Sequence, residues 1–131
     1  MTGAAAHRFS CRVYYEDTDL AGIVYYANYL RFIERARTEY VRALGIDQAR
    51  LKAERGIVFA VRRIEADYLA PARFDDLLEV ETEVAAVTPA RIVLSQRVLR
   101  GTTLLFDARV TLVALSDDGR PARLPAELRA R

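Results

Sequence analysis

The sequence predicts an α+β fold in which an antiparallel five-stranded sheet wraps around one long helix. Two observations support this prediction. One long stretch, residues 25–44, repeats its apolar residues every three or four positions, which is typical of an amphipathic helix. Five other stretches alternate polar and apolar residues, or collect β-branched and aromatic residues between turn signals, which is typical of strands.

The elements follow one another in the order strand, helix, then four strands. The first strand is predicted over residues 8–15 and ends in the polar turn at 16–22. The helix has Gly45 directly after its last apolar residue, where a glycine suits the C-terminal cap. A short helix over 47–54 comes next, and the remaining strands are predicted at 56–70, 77–88, 91–100 and 103–115.

The last four strands are expected to pair in sequence as a meander, with Gly101-Thr102 forming one hairpin turn. Such a sheet buries one face on the helix and leaves its other face and its edges without cover. Pairing between copies at an edge strand covers an edge at little cost, so we expect a homodimer or a homotetramer.

The 131 residues fit one domain, with short tails at 1–7 and 116–131, although 124–128 is predicted to form a last helical turn. The net charge of +2 is too small to indicate a nucleic-acid partner. No stretch approaches the roughly 20 apolar residues of a membrane helix, and the first residues lack the features of a signal peptide. With a single cysteine, Cys11, we expect a soluble cytoplasmic protein without an internal disulfide.

The segment that indicates chemistry is residues 14–29, which holds five of the seven tyrosines and three carboxylates within four positions. Acidic residues before a helix also complement its positive N-terminus, so a purely structural loop is the alternative interpretation. Backbone N–H groups at a helix start can stabilise an oxyanion, and Val24, Tyr25 and Tyr26 lie where such groups are expected. A loop carboxylate beside them could attack a bound carbonyl or deprotonate a water molecule.

Two stretches resemble a known family. The first stretch is similar to the signature of the 4-hydroxybenzoyl-CoA thioesterase family. It reads Asp17-Thr18-Asp19-Leu20-Ala21-Gly22-Ile23-Val24-Tyr25-Tyr26-Ala27-Asn28-Tyr29 and is followed by residues 32–39. Residues 65–72 and 75–80 resemble a second block of that family. The similarity covers roughly residues 8–128 and is strongest to the branch of Tol-Pal-associated acyl-CoA thioesterases.

The resemblance implies a hot-dog fold, an acyl-CoA substrate and sites at a subunit interface. No cofactor is expected. It places the catalytic aspartate at Asp19 and the oxyanion donor at the backbone N–H of Tyr26, with Asp17 as a supporting residue of the turn. Val24 and Tyr25 are expected to line the substrate site. The family's acyl-pocket position on the helix falls on Glu34, and its pocket-lining strand segment falls on Phe59, Ala60 and Val61.

One position departs from the Tol-Pal-associated branch, which commonly has a histidine where this chain has Tyr26. The hydroxybenzoyl branch has tyrosine at this position. A tyrosine with an ordinary pKa near ~10 cannot replace imidazole as a base at neutral pH. The departure leaves Asp19 and the backbone donor in place, and it leaves the acyl preference open.

Three functions are compatible with this fold. The first is an acyl-CoA thioesterase that uses Asp19 as nucleophile or general base. The second is a non-catalytic module on the same fold that binds acyl-CoA or a partner protein. The third is a dehydratase, which needs a histidine–acid pair and has only His7, in the predicted tail. One histidine and one cysteine cannot build a usual zinc site, so no metal is expected.

Overall fold

The computed structural model describes residues 6–129 and confirms the predicted α+β fold. The strands are β1 (His7–Arg12), β2 (Val58–Tyr68), β3 (Leu77–Val87), β4 (Arg91–Arg100), β5 (Thr103–Leu115) and the two-residue β6 (Pro121–Ala122). The helices are α1 (Asn28–Ala43), α2 (Gln48–Arg55) and α3 (Ala126–Arg129). All strand pairs are antiparallel, and the sheet has six strands because β6 adds to the five that the sequence predicts.

The predicted meander is correct for β3, β4 and β5 but wrong for β2. The strand order is β1-β3-β4-β5-β2, so β2 pairs with β5 and lies at the edge of the sheet opposite β1. The chain between β2 and β3 is therefore not a hairpin turn. Residues 69–76, here called the crossover loop, start with two N–H groups bonded to Leu105 O and end with Asp75 N–H bonded to Val13 O. This loop carries the chain from the β5 side of the sheet to the β1 side.

Helix α1 packs its apolar face on the concave side of the sheet. Phe32, Ile33 and Ala36 are fully buried and belong to the same core cluster as the strand residues Leu94 and Val110. The helix begins at Asn28, three residues later than predicted, because Tyr25 and Tyr26 belong to the preceding turn. The 3.6-residue periodicity thus identified the helix correctly and overestimated its N-terminal extent.

Both predicted tails contribute structure. His7 begins β1 and packs edge-on against Tyr40, with 5.8 Å between the ring centroids, while residues 1–5 lie outside the described part of the chain. At the other end, β6 pairs with β5, and Leu124 and Leu128 are buried. The segment from residue 116 to 129 is thus part of the packed fold, because its leucines cover apolar surface that the sheet would otherwise leave open.

Strand β2 has a free edge and carries exposed apolar side chains. Val61, Ile64 and Tyr68 are 45%, 37% and 49% exposed, whereas many apolar residues of the central strands, such as Leu94, Val98 and Val110, are fully buried. A long apolar edge strand is a surface on which further strands can pair. Within residues 6–129, no helix combines the length and the apolar character needed to cross a membrane.

Candidate active site

A pocket of about 430 Å³ opens where the turn before α1 meets the crossover loop. It is lined by one carboxylate and by apolar and aromatic side chains. The lining residues are Asp19, Ile23, Val24, Tyr25, Tyr26, Tyr29 and Tyr68, together with residues 69–71 of the crossover loop. The site is therefore an apolar cleft with a single acid at its wall, as expected for binding an acyl group.

Asp19 is held in the pocket wall by a tight turn. Its backbone N–H donates to Ile23 O at 2.9 Å, and its carbonyl accepts the Gly22 N–H at 3.0 Å. Gly22 has φ +80°, a conformation that glycine adopts without strain. Side-chain Oδ1 of Asp19 accepts the Ala21 N–H at 2.9 Å, while Oδ2 accepts no hydrogen bond from the described residues. One oxygen anchors the side chain, and the other is available to a ligand.

Of the three amides that the sequence offered as oxyanion donors, only that of Tyr26 is available. The Val24 N–H donates to Ala72 O at 2.8 Å, and the Tyr25 N–H donates to Asp17 O at 2.9 Å. The Tyr26 N–H has no acceptor among residues 6–129. The sequence could not separate these amides because their partners depend on how the turn before α1 folds back on itself and on the path of the crossover loop.

Asp17, the first acid of the Asp-x-Asp motif, is buried and faces away from the pocket. Its two carboxylate oxygens accept hydrogen bonds at 2.8 Å, one from the Tyr14 N–H and one from the Asn28 side-chain amide. Asn28, at the first position of α1, was not recognised as a site residue from the sequence. The Asp17–Asn28 pair fixes the loop to the helix start, so Asp17 shapes the turn that presents Asp19 and Tyr26.

Three tyrosines of the pocket, Tyr25, Tyr29 and Tyr68, have raised pKa values. Burial raises the pKa values of Tyr29 and Tyr68 above the ordinary tyrosine value. A hydrogen bond with the Tyr26 side chain raises the pKa of Tyr25. These phenols keep their protons near neutral pH and cannot act as bases there. Asp19 is then the candidate catalytic base or nucleophile of the pocket.

Two further contacts hold the pocket walls in place. The Tyr29 hydroxyl accepts the Ala72 N–H at 3.0 Å, which ties α1 to the crossover loop. Arg100 donates to Pro71 O at 3.2 Å and to Asp76 at 2.8 Å, which ties the same loop to β4. Tyr68, which the sequence analysis treated only as a strand residue, donates its hydroxyl proton to Tyr26 O at 3.0 Å.

The remaining predicted site residues lie away from this pocket in a single chain. Glu34 is exposed on α1, and Phe59, Ala60 and Val61 lie near the start of β2, whereas Tyr68 ends that strand. None of the four lines the pocket. Val24, Tyr25 and Tyr26 do line it together with Asp19.

The fold defines an enzyme of the hot-dog class. Residues 21–106 match the family model described as the thioesterase superfamily, and the chain belongs to this superfamily of thioester hydrolases. The resemblance identified from the two sequence motifs is confirmed.

Relatives of known name and solved structures agree with this assignment. The chain is 48% identical to the acyl-CoA thioesterase YbgC of Haemophilus influenzae, over 93% of this chain and 90% of that protein. It is 43% identical to the acyl-CoA thioester hydrolase YbgC of Escherichia coli O157:H7, over 92% of this chain and 91% of that protein.

Two structures superimpose closely. A probable thioesterase from Bartonella henselae has a TM-score of 0.89 at 37% identity, covering 92% of this chain and all 100% of the other. A 4-hydroxybenzoyl CoA thioesterase variant complexed with 4-hydroxybenzoyl CoA has a TM-score of 0.89 at 28% identity, covering 95% and 96%.

Proposed function

We propose that the chain hydrolyses acyl-CoA thioesters to the free acid and CoA, with Asp19 as the catalytic carboxylate and the Tyr26 N–H as the oxyanion donor. The observation that carries this proposal is the presence in one pocket of an available carboxylate oxygen and an available amide N–H. The names of the YbgC relatives support the substrate class.

Either of two routes leads to the same products. In the first, an Asp19 oxygen forms a bond to the thioester carbon, the carbon–sulfur bond breaks, and CoA leaves as the thiolate. Water then hydrolyses the resulting anhydride and restores the carboxylate. In the second, Asp19 accepts a proton from a water molecule that attacks the same carbon. The carbon–sulfur bond then breaks, CoA leaves as the thiolate, and Asp19 returns the proton to it or to solvent. In both routes the Tyr26 N–H donates to the carbonyl oxygen as negative charge develops on it.

We further propose that a second copy completes the site through the free edge of β2. Full antiparallel pairing of β2 with its copy places Val58 of one chain opposite Tyr68 of the other. Phe59, Ala60 and Val61 of the second copy then lie beside the Tyr68 wall of the pocket. This arrangement supports the predicted role of that segment and covers the exposed apolar side chains of β2. A homodimer, or a homotetramer of two such dimers, follows.

Two arginines are candidates for binding the CoA phosphates. Arg62 and Arg91 line two neighbouring clefts of about 380 and 460 Å³, and neither forms an ion pair with a carboxylate of the described residues. In the proposed dimer, Arg62 of the second copy lies opposite Ile64, four strand residues or about 13 Å from Tyr68. Guanidinium groups bind phosphates through charge-assisted hydrogen bonds.

The test is CoA release measured with a thiol reagent on butanoyl-, octanoyl- and 4-hydroxybenzoyl-CoA. Asp19→Asn should lower kcat about 10³-fold or more while the protein stays folded. Asp107→Asn is the matched control, since Asp107 lies on β5 outside the pocket and should leave kcat unchanged. Full activity of Asp19→Asn would refute the assignment. Protection against melting by acyl-CoA without any thiol release would favour the non-catalytic binding module instead.

A further inference from the structure

We propose that Tyr68 is a positioning residue that fixes the direction of the Tyr26 N–H through a hydrogen bond to the Tyr26 carbonyl. The inference rests on the proposed function, because it concerns the group that is to stabilise the oxyanion. The observation that carries it is the 3.0 Å hydrogen bond from the Tyr68 hydroxyl to Tyr26 O, which joins residues 42 positions apart in the sequence.

The direction of the Tyr26 N–H depends on the two peptide planes that flank this residue. The first plane contains the Tyr25 carbonyl and the Tyr26 N–H. The Asn28 N–H donates to that carbonyl at 2.8 Å. The second plane contains the Tyr26 carbonyl, which accepts the hydrogen bond from the Tyr68 hydroxyl. Each plane is rigid, and the φ and ψ angles of Tyr26 join the two planes. Holding the Tyr26 carbonyl therefore restrains these angles and, through them, the direction of the N–H.

The same two hydrogen bonds affect the strength of the donor differently. The hydrogen bond that Tyr25 O accepts from the Asn28 N–H polarises the peptide that carries the Tyr26 N–H, and it makes that N–H a better donor. The bond from Tyr68 polarises the following peptide instead, so it contributes orientation rather than donor strength. The expected role of Tyr68 is therefore geometric.

Tyr68 is itself held by a cluster of aromatic rings at the end of β2. Its ring packs edge-on against Phe106 at 4.9 Å and against Tyr29 at 5.5 Å, measured between centroids. Phe106 and Tyr29 are buried, so the cluster anchors the ring of Tyr68 to the sheet and to α1. The hydroxyl thus links a rigid part of the fold to an exposed turn.

This hydrogen bond has little value for folding, which is why a role in the site is the better explanation. Tyr26 is 62% exposed and Tyr68 is half-exposed, at 49%. Water can replace a hydrogen bond between exposed groups at small cost. A water molecule in place of the Tyr68 hydroxyl would not hold the Tyr26 peptide in one orientation. Small displacements of a catalytic group strongly lower the rate of the chemical step.

The first test is the kinetics of Tyr68→Phe, which keeps the ring and removes only the hydroxyl. We expect kcat for acyl-CoA to fall roughly tenfold, with KM changed less than about twofold and the melting temperature almost unchanged. Leu128→Ala is the control: Leu128 is buried and does not line the pocket, so its truncation opens a core cavity and should lower the melting temperature more while leaving kcat unchanged. A kcat of Tyr68→Phe within twofold of wild type would overturn the inference.

The second test observes the oxyanion donor directly. Of the three acyl-CoAs, the one hydrolysed fastest is labelled with ¹³C at the thioester carbonyl and bound to Asp19→Asn, and its carbonyl stretching frequency is measured by infrared difference spectroscopy. Hydrogen bonding to the Tyr26 N–H lowers this frequency. The added Tyr68→Phe substitution should shift the frequency back toward that of the free thioester, and an unchanged frequency contradicts the inference.

The two proposals fail in different ways. If Asp19→Asn retains turnover, or if wild type releases no thiol at all, the proposed function fails and the inference fails with it. If Asp19→Asn is inactive while Tyr68→Phe leaves kcat and the carbonyl frequency unchanged, only the role of Tyr68 is refuted.

Discussion

The two acids of the Asp-x-Asp motif should respond to the same substitution in opposite ways. Asp17 is 5% exposed, and both of its carboxylate oxygens accept hydrogen bonds. Asp19 is half-exposed, and only one of its oxygens is bonded. Asn keeps the shape of Asp but replaces one acceptor with a donor. Asp17→Asn therefore turns one buried hydrogen bond into a contact between two donors.

The magnitude follows from these contacts. Losing one hydrogen bond to a buried charged group costs about 2–3 kcal/mol of unfolding free energy. For a chain of this length, 1 kcal/mol corresponds to about 3.6 °C in melting temperature, so Asp17→Asn should melt about 7–11 °C lower than wild type. In Asp19→Asn the amide oxygen can still accept the Ala21 N–H, and the remaining oxygen faces the pocket. Its melting temperature should stay within about 2 °C of wild type.

The assay is thermal unfolding and CoA release on the same preparations of both variants. We expect Asp19→Asn to be stable and inactive. Asp17→Asn should be less stable and should retain part of its activity at a temperature where it is folded. If Asp17→Asn melted within 2 °C of wild type and were as inactive as Asp19→Asn, the assignment of a structural role to one acid and a catalytic role to the other would be refuted.

Three further predictions follow from individual contacts. Burial raises the pKa of Cys11 to about 11 from an ordinary value of 9.0, so at pH 8 it should react with a thiol reagent about 100-fold more slowly than in the urea-unfolded chain. Replacing Arg62 and Arg91 by alanine should raise KM for acyl-CoA roughly tenfold at unchanged kcat, and steady-state kinetics should show no such effect with acyl-pantetheine, which lacks the nucleotide phosphates. Partial burial raises the pKa of Asp76, but hydrogen bonds from the Arg73 N–H and from Arg100 outweigh this effect and hold the pKa below its ordinary value. The stabilisation that ionised Asp76 contributes is therefore fully present above the unfolded-state pKa, and it is lost as pH falls through the lower folded-state pKa. Asp76→Asn should then cost about 1 kcal/mol at pH 7, after allowance for solvent screening, and urea unfolding should show this difference shrinking below about pH 4.

The fold was predictable because its elements have local signals. Strands β3, β4 and β5 lie within a few residues of the predicted bounds, since each is flanked by proline, glycine or a change in periodicity. The position of β2 was not predictable in this way. Its partner is set by the path of the crossover loop, and that path depends on hydrogen bonds to Val13 and Leu105, which are remote in sequence.

The site was predictable in part. The motif restricted the acid to three loop carboxylates, Glu16, Asp17 and Asp19, and the family resemblance selected Asp19. Burial and hydrogen bonding now give an independent reason for separating Asp17 from Asp19. Asn28 and Tyr68 were missed because each acts through one hydrogen bond to a residue that is 11 or 42 positions away. An asparagine at a helix start and a tyrosine ending a strand have ordinary structural explanations.

Strand β2 connects the pocket to the proposed assembly. It ends at Tyr68 in the pocket, and it begins near Phe59, which the family resemblance places in the acyl site. These two ends are about 30 Å apart in one chain, at 3.3 Å per strand residue, so one copy cannot use both in the same pocket. Antiparallel pairing with a second copy removes this conflict, because each pocket then receives Tyr68 from one chain and the segment around Phe59 from the other. Acyl preference would then be set by residues of two copies, and substitutions at Phe59 should alter substrate choice without altering the position of Asp19.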